Sequence, residues 1–172
     1  MNGVHRLGLL IAGTAALGAT ASAQERRAGF RVSAVVAAGC TVSSDAAGSW
    51  GRIDLGSVPG MAGGTASGAL VSGGVAGIVI GCTPDTAAAL SADAGQNASG
   101  AQRRMRRVGG VGTIPYQLRV GESAADWNLQ SIPLAFPLGT SRRTLPVSAA
   151  TTLAAPVAAG DYADTVRLTL TF

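Results

Sequence analysis

Side chains able to do chemistry are few in this chain of 172 residues. The single histidine is His5, the two cysteines are Cys40 and Cys82, and all 13 basic residues are arginines. Catalysis needs a positioned acid, base, nucleophile or metal. His5 falls in a segment expected to be removed on export, which excludes triads that use histidine. The carboxylates Asp45, Asp54, Asp85, Asp93, Glu122, Asp126, Asp161 and Asp164 are scattered, mostly beside Gly, Ser or Pro, where they serve turns. The glycine-rich runs Gly60 to Gly68 and Gly73 to Gly77 lack the Gly-Lys-Ser/Thr ending of a phosphate-binding loop. Asn97-Ala98-Ser99 matches a glycosylation acceptor, a pattern short enough to arise by chance. The expectation is no enzyme, no catalytic residue, no metal, no cofactor and no small-molecule substrate.

The N-terminus decides the compartment. Arg6 precedes an apolar stretch from Leu7 to Leu17, and Ala21-Ser22-Ala23 follows it, the pattern of a secretory signal peptide cut after Ala23. That apolar stretch is shorter than the ~20 residues a spanning helix needs. Removing residues 1–23 leaves 149, enough for one domain with its own core. In an oxidising compartment Cys40 and Cys82 read as one disulfide, two unpaired buried thiols being the alternative. Closing that loop contributes roughly 4 kcal/mol in the chain-entropy model. Twelve arginines against nine carboxylates give the mature chain +3, too mild to imply nucleic acid. Arg103, Arg104, Arg106 and Arg107 form the one concentrated patch. A solvated hairpin or strand edge is the preferred reading for it, contact with phosphate or an anionic surface the other.

The elements that must position these residues are strands. Alternation recurs, and no stretch of a dozen residues keeps a helical period without Gly, Pro or Thr breaking it. Strand candidates are Phe30 to Cys40, Arg52 to Leu55, Gly68 to Cys82, Ala87 to Ala92, Thr113 to Val120, Thr144 to Leu153 and Tyr162 to Phe172, separated by turn-forming clusters. Seven or so short strands with these spacings suggest an all-β sandwich. In the last one Tyr162, Asp164, Val166, Leu168, Leu170 and Phe172 alternate with Ala163, Thr165, Arg167, Thr169 and Thr171. A domain that opens on one alternating segment and closes on another has two segments suited to pairing along sheet edges.

Several segments resemble the spore coat protein U family, whose members include secreted pilins of the archaic chaperone-usher pathway such as Csu-type pili. They are Ala38-Gly39-Cys40-Thr41-Val42, Trp50-Gly51-Arg52-Ile53-Asp54-Leu55-Gly56, Val79-Ile80-Gly81-Cys82, and Arg104-Met105 ahead of Ile114-Pro115-Tyr116-Gln117-Leu118. The terminal Gly160 to Phe172 is the most specific. Leu55 stands where the family commonly has an aromatic, and Asn128 follows Trp127 where a glycine is usual. The resemblance implies an immunoglobulin-like β-sandwich, incomplete and completed by a donor strand, over residues 39–172, with 24–38 as the N-terminal donor segment. It implies a groove beside Val166, Leu168, Leu170 and Phe172, first capped by a periplasmic chaperone that anchors there. An outer-membrane usher then exchanges the cap for the donor strand of another pilin subunit. Phe30, Val32, Ala34 and Val36 have the right period to be the donor's inward-facing residues. The alternative on pattern alone is that Phe30 to Val36 is the first strand of its own domain.

The function expected is a structural subunit of a surface pilus, shaft or adaptor, supporting adhesion or biofilm formation and exported through the periplasm to the cell surface or the extracellular space. A spore or cell coat protein is one alternative. A monomeric secreted binding module that folds its own leader into its groove is the other.

Overall fold

The computed structural model describes residues 24–172; the expected signal peptide, 1–23, lies outside the described residues. Two units are distinguished, meeting at Val35 and Val36. Within the first, residues 24–35 carry neither helix nor strand, and all of them are exposed. The strand expected over Phe30–Cys40 is therefore absent, because an alternating sequence becomes a strand only against a partner, and none of the backbone ladders includes residues 30–39.

The second unit is all β, with no helix among the described residues. In chain order its strands are β1 (Cys40–Val42), β2 (Arg52–Ile53), β3 (Thr65–Ser72), β4 (Val75–Ala76), β5 (Ile78–Cys82), β6 (Thr86–Ala92), β7 (Arg104–Arg107) and β8 (Thr113–Pro115). There follow β9 (Gln117–Val120), β10 (Ala125–Asp126), β11 (Ile132–Phe136), β12 (Arg142–Leu145), β13 (Val147–Thr152), β14 (Tyr162–Ala163) and β15 (Leu168–Thr171). Every pairing among them is antiparallel.

One layer runs β10-β9-β13-β3-β2, with β4 folded back on β3. The other is built on β5 and β6, consecutive strands separated by a bend at Thr83-Pro84-Asp85 where Asp85 takes a φ of 63°. On one side β12 pairs β5 and β11 pairs β6; on the other, β1 pairs β5 and β15 pairs β6. The Asp85 N–H to Phe136 carbonyl bond carries the ladder across the bend. A third short sheet, β14-β7-β8, continues from the first layer, since β8 leads into β9 at Tyr116.

Alternation sends Leu70, Leu118, Val120, Val147 and Ala149 from one layer and Ile78, Ile80, Ala88, Leu90, Leu134 and Phe136 from the other into a single apolar cluster. Trp127 belongs to it, fully buried, with its indole N–H donating to the Gln130 carbonyl at 3.0 Å. Burying each large apolar side chain contributes about 1.5–3 kcal/mol, so this cluster holds the layers together.

Four expected strands are split. Gly68 to Cys82 folds back at Gly73-Gly74 into β3, β4 and β5. Thr113 to Val120 breaks at Tyr116. Thr144 to Leu153 breaks at Pro146, which has no N–H to give to a ladder, and there the chain changes layer: β12 pairs β5, whereas β13 pairs β3 and β9. Tyr162 to Phe172 also divides between sheets, β14 on β7 and β15 on β6. Three strands fall outside the expected set: β7, Arg-Met-Arg-Arg, has Met105 as its one apolar residue, β10 is Ala125–Asp126, and β11, Ile-Pro-Leu-Ala-Phe, alternates apolar residues but contains Pro133, tolerated because β11 is an edge strand.

Candidate functional site: an open groove between the first and last strands

β1 and β15 lie on the same side of the second layer, and each is paired along one edge only. Among the described residues no backbone ladder forms on their other edges. Between them runs a groove of about 370 Å³ lined by Cys40, Val42, Trp50, Leu168, Thr169, Leu170 and Phe172. Cys40, Val42, Trp50, Ile53, Leu55, Val166, Leu168 and Leu170 pack on the core cluster yet stay only half-buried. This is an apolar floor that the second unit itself covers only in part. An unpaired row of N–H and C=O groups above an apolar floor presents the two things an added strand supplies, hydrogen bonds and alternating side chains.

The disulfide ties the groove's first wall. Cys40 and Cys82 are direct cross-strand partners, bonded S–S at 2.04 Å across a sequence separation of 42. Since β1 has only three residues, its position rests largely on that bond and on Gly39, whose N–H donates to Thr83 Oγ1 at 3.1 Å and whose carbonyl accepts from the Thr83 N–H at 2.9 Å.

A polar network holds the second wall. The Asp93 carboxylate accepts the Arg167 N–H at 2.9 Å, directly ahead of β15. The Asp164 carboxylate accepts from Tyr116 Oη at 2.8 Å and from the backbone and side-chain amides of Asn97 at 3.1 and 3.0 Å. Arg103, only 3% exposed, spreads its guanidinium over the carbonyls of Ala92, Asp93, Trp127 and Asn128. Burial lowers the Arg103 pKa, partly offset by Tyr116, Asp93 and Asp164. Burial, then the hydrogen bond to Asp164, pushes the Tyr116 phenol well above its ordinary range.

The residues expected from sequence fall as follows. Val166, Leu168 and Leu170 are half-buried against the core, and Phe172, 61% exposed, lines the groove. Phe30, Val32 and Ala34 are exposed in the N-terminal unit, and Val36 is exposed at the start of the second. Arg103 corrects the reading of the arginine patch as wholly solvated: it precedes β7 and turns inward, while Arg104, Arg106 and Arg107 stand on the strand. Sequence reasoning also left Trp50, Ile53 and Leu55 without a role. Their signal was the alternation of apolar and polar residues in Trp50-Gly51-Arg52-Ile53-Asp54-Leu55.

Fold and groove together define an all-β, immunoglobulin-like sandwich with one open side. Residues 27–169 match the model of the Spore Coat Protein U domain, and the chain belongs to that family. Among solved structures it is similar to a chain in the crystal structure of the CsuC-CsuE chaperone-tip adhesion subunit pre-assembly complex from archaic chaperone-usher Csu pili of Acinetobacter baumannii. The TM-score is 0.50 at 19% identity, over 80% of this chain and 40% of that one, a likeness of fold. This chain thus spans less than half the length of the chain it matches. No curated protein matches it.

Proposed function

We propose that this chain is a structural subunit of a chaperone-usher pilus, exported through the periplasm and displayed at the cell surface, where it supports adhesion or biofilm formation. Residues 39–172 are the receiving domain, and residues 24–38 of a neighbouring subunit are the strand that fills the groove. A periplasmic chaperone holds the groove before an outer-membrane usher exchanges it for that strand. The single observation carrying this reading is the half-buried apolar track between the unpaired edges of β1 and β15.

The donor segment suits the track. Phe30, Val32, Ala34 and Val36 recur at every second residue, so in an extended strand they share a face at about 6.6–6.8 Å spacing, the spacing of Leu168 and Leu170 on β15. Phe30, Val32 and Val36 are 90%, 83% and 85% exposed. Covering each contributes about 1.5–3 kcal/mol, in addition to the backbone ladder.

The test is an unboiled denaturing gel of material sheared from the native cell surface, with Val32→Arg beside the wild type. The wild type gives a ladder that collapses to one band on boiling, and Val32→Arg gives monomer with its disulfide intact. Ladders of normal length from the variant would overturn the donor assignment. A wild-type monomer band in both lanes would favour a second reading, a coat protein, to which the family's description points.

A further inference from the structure

The hairpin of β7 and β8 carries a site that the groove does not use. Arg104 and Arg106 are two residues apart on β7 and so project from one face of the sheet. The loop after β6 lies beside that face. Arg104 donates from Nε to the Asn97 carbonyl at 3.2 Å and from Nη2 to the Ala98 carbonyl at 3.3 Å, which fixes its guanidinium and leaves Nη1 without an acceptor among the described residues. Asn97 is fixed in turn, its Nδ2 donating to Asp164 and to the Ala163 carbonyl, so that its Oδ1 is free to accept. The Arg106 side chain is exposed and makes neither a hydrogen bond nor an ion pair within the described residues, its backbone being paired in the sheet.

A hollow of about 320 Å³ opens between these groups, lined by Gln96, Asn97, Arg104, Arg106, Val111 and Thr113 among others, and no carboxylate lines it. The Asp164 carboxylate is occupied by Asn97 and Tyr116. The hollow therefore offers two guanidinium groups, a side-chain amide with open donors at Gln96, acceptors at Asn97 and Thr113, and one apolar contact at Val111.

We propose that this hollow binds a uronic-acid residue of an acidic surface polysaccharide. The sugar carboxylate sits between Arg104 Nη1 and Arg106, a charge-assisted pairing for which guanidinium is suited. The sugar hydroxyls, which donate as well as accept, use Asn97 Oδ1, Thr113 Oγ1 and Gln96. An inorganic anion has no use for the acceptors, and a nucleic-acid base finds no aromatic ring on which to stack. One shallow site binds weakly, and a polysaccharide engaging sites on successive subunits binds by avidity. That amplification rests on the polymer reading; the site itself does not.

The test uses the whole disulfide-bonded protein on immobilised polygalacturonate, with neutral dextran and dextran sulfate as comparison surfaces. Wild type binds polygalacturonate and not dextran, and Arg106→Gln weakens binding about tenfold, the loss of one charge-assisted contact. Arg106→Gln keeps the wild-type melting temperature, since the side chain is exposed and unpaired. Arg142→Gln on β12 serves as a charge control and leaves binding unchanged. Equal losses from Arg106→Gln and Arg142→Gln, or binding to dextran sulfate as tight as to polygalacturonate, would overturn the site in favour of general charge attraction. Wild-type binding by Arg106→Gln would overturn it outright. None of these results depends on whether the unboiled gel shows a ladder, so the two proposals fail separately.

Discussion

Arg103→Ala asks what a buried arginine does in a fold that otherwise keeps its arginines wet. The guanidinium serves the carbonyls of Ala92, Asp93, Trp127 and Asn128. The bonds to Ala92 and Trp127 are buried, so water does not replace the donor there. Leaving a buried acceptor unsatisfied costs about 1–3 kcal/mol, or about 2–6 for the two. Truncation also removes a cation whose burial is unfavourable, the same desolvation that lowers its pKa, and this returns part of the loss. We expect a net destabilisation of about 3–4 kcal/mol, within the range for breaking a buried polar network. Its neighbour Arg104 makes two bonds that are only part-buried, and Arg104→Ala should cost about 1 kcal/mol or less. The assay is urea unfolding of the disulfide-intact protein. Hydrogen exchange at Arg167 and Leu168 provides a local readout, because the Asp93 carboxylate holds the Arg167 N–H. Arg103→Lys should recover only part of the loss, since an ammonium does not reproduce the planar fork. Equal stability losses for the alanine variants at 103 and 104, with no change in exchange at Arg167, would refute the argument.

Three further outcomes follow from the same geometry. Replacing Cys40 and Cys82 together by Ala should lower stability by roughly 4 kcal/mol and loosen β1 before the rest of the sandwich; unchanged exchange at Thr41 and Val42 would count against the disulfide as the anchor of that strand. The Tyr116 pKa is raised on folding above its ordinary 10.0, so the unfolded chain ionises first: its contribution is fully present below pH 10.0 and is lost as pH rises towards the folded value. Unfolding free energies measured from pH 9 to about pH 12 should fall more steeply for wild type than for Tyr116→Phe, by up to about 1.4 kcal/mol per pH unit, and parallel curves would show that Tyr116 is not responsible. Gly77→Ala should fold poorly, because Gly77 takes a φ of +91° and an added Cβ would stand 2.6 Å from the Leu145 carbonyl oxygen; a variant with wild-type melting temperature would place the strain elsewhere.

Much of the β character was legible in the chain. Period-2 alternation in Thr86 to Ala92 and in Val147 to Leu153 reappears as alternating burial, and Val166, Leu168 and Leu170 are half-buried between exposed neighbours. Two cysteines in a chain with a secretory leader pattern pointed to the Cys40–Cys82 bond. The breaks were harder to read, because a strand changes layer through backbone pairing rather than through its own side-chain pattern. Tyr162 to Phe172 alternates without interruption, yet its two ends pair in different sheets. Ile132 to Phe136 becomes a strand because the edge of β6 is available to it.

By itself, then, the sequence determined the alternation that gives β6, β13 and β15 an apolar face, and the absence of histidine from residues 24–172. Tertiary structure alone decided that β1 and β15 become neighbours across a gap, since each is placed by pairing with the same β5–β6 stretch and neither meets the other in sequence. It also decided the fates of Arg103 and Arg104, adjacent residues of one type. One sits where four carbonyls converge and water is excluded, the other on the open face of a hairpin. Burial and open edges are properties of how distant segments meet, and local pattern carries no record of that meeting.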